Sequence, residues 1–159
     1  MEMKDIIKNL AESQWDEMVA IRRHLHAHPE LSFEEEQTAA YIAEKLTEYG
    51  IPHTTNVGGH GIVALIEGNK PSTKTIALRA DIDALPIEEK NEVGYCSVNK
   101  GVMHACGHDV HTTSLLGAAK ILFHIRDRFH GTIKLIFQPA EEKLPGGASI
   151  MIKEGVLKN

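Results

Sequence analysis

The stretch MHACGHDVHTT, residues 103–113, places His104, Cys106, His108 and His111 within one short segment. Thiolate sulfur and imidazole nitrogen are preferred ligands of zinc and similar transition metals. Cys106 and His108 stand two residues apart. In extended backbone such positions point the same way, and Gly107 between them permits close backbone approach. A C-x-H pair of this kind could grip one ion. Taken singly, each histidine reads more readily as a solvated or hydrogen-bonded side chain, and a lone cysteine as a small buried hydrophobe. Four candidate ligands gathered at a strand-to-helix junction favour the metal.

Carboxylates recur near this cluster in the pattern of elements. RADID sets Asp81 and Asp83 at the end of an apolar strand. In open α/β sheets, sites form outside the carboxyl ends of the strands. Two carboxylates there could bind a metal or orient a histidine ligand from behind. Turn chemistry with an ion pair to Arg79 accounts for them equally well. QPAEE puts Glu141 and Glu142 side by side after another strand. Adjacent carboxylates repel unless a cation is near. One could ligate a metal while the other takes a proton from water, the division of labour that metal-assisted hydrolysis needs. Two solvated loop glutamates are the plainer alternative. The three histidines of HLHAHPE (24–30) close a helix, where cationic side chains suit the dipole.

These residues must be held by regular elements. Ile6, Leu10, Met18, Ile21 and Leu25 fall at helical spacing, predicting a helix from Ile6 to about Arg23. It ends where Pro29 restricts the residue before it. Ser32 with Glu35 three residues on predicts a capping box opening a second helix, and Gly50 a stop for it. GIVALIEG (61–68), TIALRADID (75–83) and GTIKLIFQP (131–139) read as strands buried on both faces. Residues 86–102 read as a loop. A helix is expected soon after Asp109, and a short one in GGASIMIKEG (146–155). Helices alternating with buried strands imply an α/β fold, with a mostly parallel sheet and helices on both faces.

The 159 residues amount to one domain, and 42% apolar residues suffice for an ordinary core. A net charge of −5 with interspersed signs argues against a nucleic-acid partner and against a polybasic membrane contact. No apolar run approaches the roughly 20 residues needed to span a bilayer. Two cysteines and no apolar leader in MEMKDIIKNLAESQ predict reduced thiols in a cytoplasmic protein.

Taken in order, RRHLHAHPELSFEE, GIVALIEG, LRADIDALPI, GVMHACGHDVHT, FQPAEE and GGASIMIKEGVL resemble the N-terminal part of the M20 family of metallo-amidohydrolases. The similar branch contains N-acyl-amino-acid amidohydrolases, hippurate hydrolases, auxin-conjugate hydrolases and acetyl-diaminopimelate deacetylases. The resemblance implies that residues 1–159 form the N-terminal part of a zinc-peptidase-like catalytic domain, a partial three-layer sandwich. It implies two divalent ions (zinc, manganese, cobalt or nickel) at the carboxyl end of the sheet, and an N-acyl amino acid as substrate. Carried over by position, Cys106, His108 and Glu142 would be metal ligands and Glu141 the general base. Asp81 and Asp83 would be supportive, and His111 matches the motif without needing to be a ligand. Family members are much longer. They carry two further histidine ligands and a lid domain used for dimerisation, absent from these residues. The chain is therefore expected to be a fragment, with an uncovered sheet edge that favours self-association. Two other readings stay open: a non-catalytic metal-binding remnant, and a hydrolase using Cys106 as nucleophile.

Overall fold

The computed structural model describes residues 2–158. Among them lie α1 (Met3–Ser13), α2 (Trp15–Ala27), α3 (Glu36–Glu48), β1 (His53–Val57), β2 (Gly61–Glu67), β3 (Lys70–Asp81), α4 (His108–His124), β4 (His130–Gln138) and α5 (Gly147–Lys153). The strands form one sheet in the order β1-β2-β4-β3. Side chains alternate faces along a strand. Ile62, Ala64 and Ile66 of β2 and Leu135 and Phe137 of β4 therefore enter one core, with Ile21, Leu25, Ile42, Leu46, Leu115 and Leu116 from α2, α3 and α4. Ile136 points the other way, onto Met151 of α5 and Val63. Helices thus flank both faces. Burial on both faces, expected for all three apolar strands, holds for the carboxyl half of β4 but not for β3, where Thr75, Ile76, Ala77 and Arg79 are exposed, nor for β2, where Leu65 is exposed. β3 lies at the end of the sheet order with β4 as its neighbour, so less of it is covered. No helix among the described residues is long and apolar enough to cross a membrane.

Strand direction differs from the expectation of a mostly parallel sheet. β1 and β2 pair antiparallel, as do β2 and β4, and only β3 with β4 is parallel. The connections explain this. β1 reaches β2 through the short turn at 58–60, which permits only antiparallel neighbours, whereas α4 provides the long crossover a parallel pair needs. β1 itself, HTTNV, was not foreseen. It is polar and largely exposed, without the alternation that marks a half-buried strand.

The long N-terminal helix is two helices. The chain breaks at Gln14, whose buried side chain donates from Nε2 to the Gly117 carbonyl of α4 at 3.1 Å. Gly117 lets α2 approach α4, since a Cβ there would stand 2.8 Å from Met18 Sδ. The capping box does not form either. α3 begins at Glu36 with no side-chain cap, and Ser32 and Glu35 are buried and turned elsewhere.

Candidate metal centre

The parallel pair sets the site, because its two carboxyl ends lie side by side. β3 delivers Asp81 and, just beyond it, Asp83. β4 delivers the turn Pro139–Glu142. The N-terminus of α4 closes the third side with Cys106 and His108. These two converge, though not through extended backbone: Gly107 takes the left-handed conformation (φ 97°) and His108 already opens the helix. L side chains avoid that region, which glycine enters freely.

One ligand atom each from Cys106, His108 and Glu142 lies within 4.8 Å of the others, and Asp81, His108 and His111 form a second such group. His108 belongs to both. Its Nδ1 donates to the Asp83 carbonyl at 2.9 Å and stands 3.2 Å from Asp83 Oδ1. Its Nε2 is left facing Asp81 Oδ1 at 3.6 Å, Glu142 Oε1 at 3.7 Å and Glu141 Oε2 at 3.9 Å. Asp81 also faces His111 Nδ1 at 2.7 Å and Arg79 at 2.6 Å, so the plain ion pair to Arg79 is present as well. The Glu141 side chain is 41% accessible and that of Glu142 24%, so Glu141 is the more open to water.

The electrostatics are those of a cluster short of positive charge. Burial raises the Cys106 thiol, and Glu142, Glu141 and Asp81 raise it further. Burial opposes protonation of His108, but Asp83 and Asp81 outweigh it and hold its pKa above the usual value. Burial alone would raise Asp83. Bonds from His108, Ser32 and the Glu142 and Glu141 amides instead hold it well below the carboxylate range. A nucleophilic cysteine needs electropositive surroundings that stabilise its thiolate, so this acidic setting disfavours Cys106 as nucleophile. A divalent cation suits the same donors: one soft sulfur, one imidazole whose far nitrogen is fixed by a backbone carbonyl, and carboxylates.

The remaining histidines lie outside the cluster. His104 is buried, both of its ring nitrogens lack a partner, and burial lowers its pKa to about 4. In HLHAHPE, His26 bridges Asp109 Oδ2 (2.7 Å) and Glu89 Oε1 (3.0 Å), and His24 stacks on Tyr41, both structural uses. Two contributors went unrecognised. Ser32 Oγ donates to Asp83 Oδ2 at 2.6 Å, and Glu35 Oε1 accepts the Ala140 amide at 2.7 Å. Their helix-cap spacing concealed them, and no local pattern announces a contact spanning a hundred residues.

Against this geometry, the model of peptidase family M20/M25/M40 matches residues 77–159, more than half of the chain, and the chain belongs to that family. It is similar to the N-acyl-L-amino acid amidohydrolase of Geobacillus stearothermophilus, 47% identical over 97% of this chain and 41% of the relative. It is similar to the N-acetyl-L-cysteine deacetylase of Bacillus subtilis, 51% identical over 89% of this chain and 33% of the relative. A solved structure of the Bacillus subtilis YXEP protein, described as a dinuclear metal-binding peptidase of the M20 family, superposes with a TM-score of 0.87. It is 42% identical, over 92% of this chain and 41% of that one. The chain thus spans about two fifths of the length of such relatives.

Proposed function

We propose that the chain carries the metal-binding part of an amidohydrolase that cleaves the amide bond of N-acyl amino acids. One observation carries this reading: Cys106, His108 and Glu142 bring a sulfur, a nitrogen and an oxygen within 4.8 Å at the carboxyl ends of the parallel strands. The names of the relatives support the substrate class and a pair of divalent ions. The mixed soft and hard donors suit zinc, manganese, cobalt or nickel. Residues 1–159 are read as the N-terminal part of the catalytic domain, and two free thiols suit a reducing compartment such as the cytoplasm.

In this reading Cys106, His108 and Glu142 hold the cation. When bound, it supplies the charge that acidifies water and polarises an amide carbonyl. Asp83 fixes the tautomer of His108 by keeping the proton on Nδ1, so that Nε2 is free to ligate. Glu141, more accessible and aimed at the same space, takes a proton from water and returns it to the leaving nitrogen. Asp81 and His111 support the site from the strand end, with Arg79 balancing their charge.

The test is hydrolysis of acetyl- and benzoyl-amino acids with added zinc, manganese, cobalt or nickel, beside elemental analysis after dialysis. Metal retention by the wild type and its loss in Cys106→Ala are expected. Metal-dependent turnover supports the enzyme, and metal bound without turnover supports a binding remnant. Equal metal content in the two proteins contradicts the ligand assignment.

A further inference from the structure

We infer that Glu35 is a positioning residue for the acidic turn, holding Glu141 and Glu142 where they meet His108. The inference rests on the metal reading above. Glu35 is fully buried and no ion pair to it occurs among the described residues. Its Oε1 accepts the Ala140 N–H at 2.7 Å, while Oε2 has no partner. A buried carboxylate facing no cation is unfavourable for a fold, so stability alone does not account for it.

What it grips is the residue immediately before the glutamates. Ala140 has φ 47°, a left-handed conformation that a side chain disfavours and that persists only where neighbours hold it. Glu35 holds its amide, and Gly147 N–H holds its carbonyl at 2.9 Å. Two residues on, the Glu142 amide donates to Asp83 Oδ2 at 3.0 Å, and that same oxygen takes the Ser32 hydroxyl. The segment 32–35 therefore fastens both ends of the turn, one directly and one through Asp83.

The test compares Glu35→Gln and Glu35→Leu with wild type by thermal midpoint, zinc affinity in competition with a chromophoric chelator, and amide hydrogen exchange at Ala140–Glu142. Glutamine keeps an acceptor for the Ala140 amide. Leucine fills the space without one and removes a buried carboxyl group. Glutamine, which is uncharged but keeps the acceptor, is expected to match wild type in zinc affinity and exchange and to keep or raise the midpoint. Leucine is expected to keep or raise the midpoint, speed exchange at Ala140 and weaken zinc binding by about 10–100-fold, the usual cost of losing support behind a metal ligand. Unchanged zinc affinity in Glu35→Leu, or failure of either variant to fold, overturns the proposal. If wild type takes no zinc, the metal reading fails, and exchange at Ala140 alone decides the role of Glu35.

Discussion

At the scale of the residue, the two neighbouring glutamates differ in accessibility although the sequence makes them look alike. Glu142 is tied by its amide to Asp83 and shares the metal group with Cys106, whereas Glu141 is the more open of the pair. Glu142→Ala should therefore lower bound zinc, and Glu141→Gln should keep it. Whatever turnover the protein shows should fall about 10²–10⁴-fold in Glu141→Gln. Elemental analysis beside initial rates checks both, and near-normal turnover in Glu141→Gln at full occupancy would remove it as the base. The metal-ligating types were legible because sulfur, imidazole and adjacent carboxylates cluster in the sequence. What lies behind them was not. Asp83 could be named as an orienter from its place at a strand end, but Ser32 and Glu35 obeyed a local helix-cap pattern that the tertiary contacts override.

At the scale of the element, β4 is the spine of the molecule, paired with β2 on one side and β3 on the other. Phe137, near the carboxyl end of β4, is fully buried. Phe137→Ala should destabilise the chain by about 3–5 kcal/mol, measured by urea denaturation; a loss under about 1 kcal/mol would show that the core is looser than described. A polar network joins α2, the 86–102 loop and α4 through His26, Glu89 and Asp109. Burial raises Glu89, but the Ser97 amide, Asn91 and His26 prevail and bring it down to about 2. A carboxyl depressed in the folded state binds its proton more readily when unfolded. Its contribution is thus complete above the ordinary value of 4.5 and fades as pH falls toward about 2. The stability gap between wild type and Glu89→Gln should shrink over that window in denaturation at several pH values; a gap independent of pH would refute it. The strands β2, β3 and β4 were legible from their apolar runs. Their directions were not, because apolar strands of either direction look alike and only the connections decide. The break at Gln14 was equally silent, since it is made by a bond to the distant Gly117.

At the scale of the whole molecule, the chain reproduces about two fifths of its relatives, and its α/β layering matches theirs closely. β3 lies at the end of the sheet order, with β4 on one side. Unpaired strand edges template association, so size-exclusion chromatography should show concentration-dependent self-association; a monomer at every concentration would contradict this. Three converging ligands are few for two ions, so hydrolysis of N-acyl amino acids by these 159 residues should be slow. Robust metal-dependent turnover by a monomer would show that the ligands described here suffice. The family was legible at this scale because MHACGHD and QPAEE carry it, whereas composition said little beyond one domain of ordinary core. The central claim is that Cys106, His108 and Glu142 together hold a divalent ion. Titration of wild type and Cys106→Ala with cobalt(II), followed in the near ultraviolet, tests it most directly. The account predicts a saturable sulfur-to-cobalt charge-transfer band in wild type that zinc displaces and that Cys106→Ala lacks. No band in folded wild-type protein, or the same spectrum in both proteins, would contradict it.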